Sequence, residues 1–147
     1  MLTQYKLRSA RKTDEKIIKE LIERVRINPM NIHWKYFIVA ETLDGVFIGC
    51  GQLKHHNDGS IELASIAVEE AYRKQGVGRA IIEELLTDSP RPLYLMCRPV
   101  LGTFYEKFGF QTITGKELPP YFARIQRIIR AMNSFARQDG PLIMRLN

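Results

Sequence analysis

The sequence predicts a mixed α/β domain. Three observations predict it: a central stretch of alternating residues punctuated twice by Asp-Gly, a glycine-containing turn that joins a strand pattern to a helix pattern, and helical periodicity near both ends. The chain has 147 residues, the size of one ordinary domain, so residues 1–147 are expected to fold around their own hydrophobic core. Hydrophobic residues make up 45% and charged residues 26%, spread along the whole chain, which is the balance of a globular protein and excludes a disordered one.

The elements follow in order. Gln4 to Arg8 is a short strand candidate. A helix then starts at Thr13 as N-cap, with Asp14 and Glu15 in its first turn, and carries Ile17, Ile18, Leu21, Ile22 and Val25 on one face until Asn28-Pro29 ends it. Met30 to Lys35 reads as a loop or short helix. Tyr36 to Thr42, Val46 to His55 and Ser60 to Val68 read as strands, separated by Asp44-Gly45 and Asn57-Asp58-Gly59, and so predict a three-stranded antiparallel meander. A helix from about Gly78 to Leu86 turns Ala80, Ile81, Leu85 and Leu86 inward, Asp88-Ser89-Pro90 breaks it, and Leu93 to Cys97 is an apolar strand. A short helix from Leu101 to Phe108 stops at Gly109, a strand spans Phe110 to Thr114, a helix follows Pro119-Pro120, and Leu142 to Leu146 is the last strand.

Charge and cysteine usage narrow the class. The apolar runs are too short for a spanning helix of roughly 20 residues, and the charged Met1 to Ala10 stretch does not read as a signal peptide, so the expected location is cytoplasmic with no membrane partner. Cys50 and Cys97 are far apart and in no CxxC arrangement, which points to two buried, inert thiols and to neither a disulfide framework nor a thiolate metal site. His55 and His56 adjoin a hairpin turn and read as a surface pair; no metal is expected. Much of the net charge of +6 sits between Tyr121 and Arg137, where Arg124, Arg127, Arg130 and Arg137 occur without an acid. Phe122, Ile125, Ile128, Ile129, Met132 and Phe135 recur there at helical spacing, so this segment reads as a helix packed on the domain with its arginines outward.

The chemistry concentrates in Ala71 to Ala80, A-Y-R-K-Q-G-V-G-R-A, between a strand and a helix. Glycines let the backbone turn tightly there and bring several N–H groups to a ligand at the positive end of the helix dipole, which suits a pyrophosphate. A Walker A loop is excluded because Gly78 is followed by Arg79 and Ala80 rather than by Lys and Ser or Thr; a dinucleotide fingerprint is excluded because Ile81 stands where it needs Gly or Ala.

Arg73, Gly76 and Gly78 fill the pattern [QR]-x-x-G-x-[GA], and Phe104-Tyr105-Glu106-Lys107-Phe108-Gly109-Phe110 forms a second block at the expected distance. With these two blocks and the strand order, the chain resembles the GNAT superfamily of N-acetyltransferases over nearly its whole length. Only Thr114 to Gly140 looks individual. The resemblance implies a central, mostly antiparallel sheet with splayed strands and flanking helices, and acetyl-CoA as co-substrate. It further implies that backbone N–H groups of Lys74, Gln75, Gly76, Val77, Gly78 and Arg79 hold the pyrophosphate, with Arg73 beside them as a phosphate contact or a cap of the loop. Ile66, Ala67 and Val68 would run beside the pantetheine arm, with the Ile66 N–H near the thioester carbonyl. Glu62, 14 residues before Gly76, stands at the offset where several members place a general base, and Tyr105 matches the tyrosine that donates a proton to the departing thiolate. Arg98-Pro99 replaces an asparagine that touches pantetheine in many relatives.

The implied activity is transfer of an acetyl group to a small-molecule or peptide amine by direct attack. The implied assembly includes a homodimer. A non-catalytic acyl-CoA-binding module and a nucleic-acid-associated protein using residues 121–137 are the rival readings; the second is disfavoured because no aromatic platform accompanies the arginines.

Overall fold

A computed structural model describes residues 2–132 and 140–147. The strands are β1 (Tyr5–Ser9), β2 (Phe37–Thr42), β3 (Phe47–His55), β4 (Ile61–Val68), β5 (Leu93–Cys97), β6 (Gln111–Thr112) and β7 (Leu142–Leu146), hydrogen-bonded in the order β1-β2-β3-β4-β5-β7-β6. The helices are α1 (Glu15–Arg24), α2 (Val77–Thr87), α3 (Gly102–Glu106) and α4 (Pro120–Met132). This is the mixed α/β class that the sequence predicts. Two compact units divide the chain: Met1–Lys54 with Leu63–Ser89, and His55–Glu62 with Pro90–Asn147.

In the first unit, β1 and β2 pair antiparallel from Tyr5↔Thr42 to Ser9↔Ile38, and β2 and β3 pair antiparallel with a shift between Ala40 and Glu41. The Asp44-Gly45 turn forms as the sequence requires: Gly45 has φ 86°, a conformation open to glycine at little cost, and Thr42 N–H donates to Val46 O at 2.9 Å. α1 buries Ile18, Leu21 and Ile22 against Phe37, Val39, Phe47, Cys50 and Ala67. Ile17, expected on the same face, is exposed instead, because the buried stripe is the narrow one set by Ile18, Leu21 and Ile22. Nor is Thr13 the N-cap. A turn of 3-10 helix over Lys12–Asp14 precedes α1, and Asp14 spends its carboxylate on the Arg11 N–H at 2.6 Å and on the Arg8 guanidinium at 2.8 and 3.0 Å.

α2 packs on β3 through two glycines. A Cβ placed on Gly51 would lie 2.5 Å from Ile66 Cδ1 and 2.7 Å from Ile81 Cγ2, and one on Gly49 would lie 3.0 Å from the Ala67 carbonyl. The absence of side chains at these positions is what lets the helix, and the loop that feeds it, lie so close to the strands.

In the second unit, β5 pairs antiparallel with β7 from Leu93↔Leu146 to Cys97↔Leu142, and β7 with the two-residue β6. The expected strand from Phe110 to Thr114 is therefore shorter, while Phe110 and Ile113 at its ends are buried in the core. Tyr94, Ile113, Phe122 and Ile143 form a cluster joined by Met96, Leu118 and Tyr121. α4 does not bury the full apolar stripe that its spacing predicts: Phe122 is buried, but Ile128 and Met132 are exposed. Its Arg124, Arg127 and Arg130 are exposed, as expected; Phe135 and Arg137 lie outside the described residues.

Candidate active site

The glycine loop forms in the first unit where β4 hands over to α2. A turn of 3-10 helix over Glu70–Tyr72 is followed by Lys74 at φ 63° and Gly76 at φ 81°, and α2 starts at Val77. Alternating left-handed and right-handed residues turn successive N–H groups toward one side, the arrangement of an anion-binding nest, and the first four N–H groups of an α-helix have no partner within it. No side chain caps this N-terminus. Gly76 is needed for its φ. At Gly76 no protein atom lies within 4 Å of a Cβ position, so that side of the loop is open, while a Cβ on Gly78 would meet Val68 Cγ2 at 3.7 Å and Ile66 Cγ2 at 3.9 Å in ordinary contact with β4. The residues present therefore fit a pyrophosphate.

The side chains of the loop have other partners. Gln75 Oε1 accepts from the Thr3 N–H at 2.8 Å, Arg73 Nε donates to the Val68 carbonyl at 3.0 Å, and Arg79 pairs with Glu83 at 2.9 Å one turn along the helix. Val77 is buried. A cleft of about 660 Å³ opens beside the loop entrance, lined by Leu21, Arg24 and Phe47 with Glu69, Tyr72 and Arg73. It includes neither Glu62 nor Tyr105.

β4 runs from Ile61 to Val68 without a break, yet Ser65 has φ 59° in mid-strand. A non-glycine residue there carries strain of about 1–2 kcal/mol that its surroundings must offset. Gln52 Nε2 donates to Ser65 Oγ at 2.8 Å, and Cys50 Sγ to Ser65 O at 3.8 Å. Such an irregularity re-aims the residues that follow it. Ile66, Ala67 and Val68, the three expected beside pantetheine, come directly after it.

Glu62 lies in the second unit at the start of β4, where the backbone pairs parallel to β5 at Glu62↔Tyr94. It is not a solvated carboxylate: the residue is 5% exposed, and Oε1 lies 2.8 Å from His56 Nε2. The reading of His55 and His56 as a surface pair is corrected here, since only His55 is exposed and His56 is 7% exposed. The cause is long-range: Tyr121 of α4 stacks on the imidazole with ring centroids 3.6 Å apart and planes 15° apart. Tyr105 sits in α3 among Phe104, Phe108 and Phe110, and Gly109 at φ 98° makes the turn out of that helix. Burial, with a smaller contribution from Cys97, pushes the Tyr105 phenol up to about 12, so it holds its proton at neutral pH. Burial likewise pushes the Cys97 thiol up, and the Cys50 thiol to about 12, in keeping with inert cysteines. Arg98 is exposed at the end of β5. Among the described residues no three His, Cys, Asp or Glu side chains are grouped to hold a metal ion, and no helix is long and apolar enough to cross a membrane.

A family model for the acetyltransferase (GNAT) domain matches residues 33–112, more than half of the chain, from the loop before β2 to β6 and across the glycine loop. The chain belongs to the GNAT acetyltransferase family. Its fold is that of solved GNAT structures. Rv2747 from Mycobacterium tuberculosis, in complex with CoA, matches with a TM-score of 0.70 and 23% identity over 96% of this chain and 98% of that one. A GNAT-family acetyltransferase from Staphylococcus aureus Mu50 matches with a TM-score of 0.68 and 16% identity, covering 97% and 98%. The N-acetylglutamate synthase of Neisseria gonorrhoeae, complexed with coenzyme A and L-arginine, matches with a TM-score of 0.67 and 22% identity over 99% of this chain but only 34% of the synthase. Among proteins of curated function, no sequence matches this GNAT chain.

Proposed function

We propose that the protein is an acetyl-CoA-dependent N-acetyltransferase, acting as a single GNAT domain in the cytoplasm, that transfers acetyl directly to a primary amine of a small molecule or peptide. Family membership and the nest at Lys74–Arg79 support the acyl-CoA half of this reading; CoA is present in two of the similar structures. The observation that carries the amine half is a buried glutamate with an imidazole partner at 2.8 Å. Bound acetyl-CoA supplies an activated acyl thioester. The N–H groups from Lys74 to Arg79 hold its pyrophosphate, and the backbone of Ile66, Ala67 and Val68 orients the arm, with the Ile66 N–H donating to the reacting carbonyl.

An alkylammonium with a pKa near about 10 must lose a proton before it attacks, and Glu62 takes that proton directly or through a water. Tyr105 donates a hydrogen bond to the departing sulfur. Its phenol at about 12 lies above a thiol at about 8.5, so it meets the sulfur as a hydrogen-bond donor and lets the proton go only as negative charge develops there.

Calorimetry with acetyl-CoA, with ATP and NAD as controls, followed by a panel of amines with detection of released thiol, tests the reading. We expect selective acetyl-CoA binding that Gly76→Glu abolishes, and thiol release with at least one primary amine. Glu62→Gln and Tyr105→Phe should each lower kcat by about 10²–10⁴ with acetyl-CoA affinity retained. No acetyl-CoA binding, or full turnover by both variants, overturns it.

A further inference from the structure

His56 is the residue whose placement departs most from what its sequence context predicts. It opens the turn between β3 and β4, with its backbone N–H donating to Ser60 O at 3.0 Å. Its side chain is 2% exposed and that of Glu62 7%, so their 2.8 Å contact is shielded from water. The imidazole cannot turn freely. One face is stacked on Tyr121 at 3.6 Å, and Phe122 meets it edge-on with centroids 5.8 Å apart and planes at 86°.

The stacking ring is anchored in turn. The Tyr121 N–H donates to Asp58 Oδ2 at 2.9 Å, while Asp58 Oδ1 accepts from the Ser60 N–H at 2.8 Å and the Ser60 hydroxyl at 2.6 Å. Burial opposes a charge on Asp58, but these hydrogen bonds outweigh it and hold its carboxyl below the usual range. A negative Asp58 at the N-terminus of α4 is also favoured by the helix dipole. The result is a closed chain of contacts from the turn to the first turn of α4, to the imidazole, to Glu62.

A glutamate side chain has three rotatable bonds, and a general base works only when one oxygen is aimed at the proton it removes. An N–H donated from Nε2 occupies Oε1 and leaves Oε2 for that task. We propose that His56, held by Tyr121 and Asp58, is a positioning residue that aims Glu62 for proton removal from the acceptor amine. The proposal rests on the reading of Glu62 as the base. It assigns to α4, in the segment individual to this chain, a part in the proton transfer.

The test is the split between kcat and KM, with rescue by a conservative variant, for the amine that the panel identifies. The groups facing His56 are Glu62 from β4, Asp58 and Ser60 from the turn, and Tyr121 and Phe122 from α4, with Arg124 acting on Tyr121. Only His56 is changed, so these stay constant. His56→Leu should lower kcat by about tenfold or more, with KM for acetyl-CoA unchanged. His56→Gln, whose amide N–H reaches toward the same oxygen, should restore most of kcat. A folded His56→Leu with wild-type kcat, beside an inactive Glu62→Gln, overturns the proposal and leaves the base reading standing. A fully active Glu62→Gln overturns both. If His56→Leu does not fold, Tyr121→Leu removes the stack and keeps the imidazole; it should lower kcat by less with KM for acetyl-CoA unchanged, and an unchanged kcat overturns the proposal.

Discussion

Gly51→Ala is the smallest change that tests how the glycine loop is held. The added methyl would lie 2.5 Å from Ile66 Cδ1, 2.7 Å from Ile81 Cγ2 and 3.2 Å from Leu85 Cδ1. Carbon atoms prefer about 3.5–4.0 Å, so two of the three contacts are too close by roughly 1 Å. Ile66 Cδ1 is the end of a flexible side chain and can rotate away, but Ile81 Cγ2 is fixed on the branched carbon of a helical residue, so relief there requires α2 itself to shift. Overpacking of this kind costs about 1–3 kcal/mol, which for a domain of this size lowers Tm by roughly 2–10 °C. The loop at Arg73–Arg79 leads into α2, so acetyl-CoA affinity should fall as well. Urea unfolding measures the stability, and calorimetry the affinity. Ile66→Val, which removes Cδ1, should recover part of the loss in the double variant, whereas Gly59→Ala changes a glycine with no atom within 4 Å of its Cβ position and reports backbone strain alone. A neutral or stabilising Gly51→Ala with unchanged acetyl-CoA affinity would refute the idea that helix approach through Gly51 sets the loop.

Two further outcomes follow from the buried polar and sulfur groups. Arg8 holds the Asp14 carboxyl below its usual range, and Glu41 is held low by Arg8 and Lys6 against the opposing effect of burial, so this network stabilises the fold fully above the ordinary carboxylate range and less as pH falls through it. Asp14→Asn should therefore be less stable by roughly 1–3 kcal/mol at pH 7, with the gap from wild type closing below about pH 4 in a series of urea titrations. Cys50, buried and pushed up to about 12, should resist a disulfide exchange reagent at pH 8 in the native protein and react at once in guanidinium; rapid native labelling at that position would contradict its burial.

The parts of the fold legible in the sequence are those fixed by local chemistry. Asp44-Gly45 and Asp58-Gly59 sit in turns whose glycines have φ 86° and 87°, and Gly76 at φ 81° opens α2 one residue from the expected start. β5, an uninterrupted apolar run before a charged residue, begins and ends at Leu93 and Cys97 as its pattern predicts. What escaped the sequence depends on distant partners. His56 stands in a polar hairpin, and nothing within ten residues signals its burial, because Tyr121 and Phe122 supply it. Ser65 gives no sign of its left-handed backbone, since the glycine that usually marks one is absent and Gln52 holds the conformation instead. In the sequence only a family offset marks Glu62, and its buried contact with His56 is what separates it physically from a surface carboxylate.

The Asp58 carboxylate, received from one hairpin and spent on the first turn of α4, has a consequence for how this GNAT domain can be re-engineered. The two segments it joins are 63 residues apart in sequence, and the donor is the Tyr121 backbone N–H, which any residue but proline supplies. An α4 imported from another acetyltransferase would therefore keep this latch wherever its second residue is not proline. What such a graft would have to carry over is the ring that lies on His56.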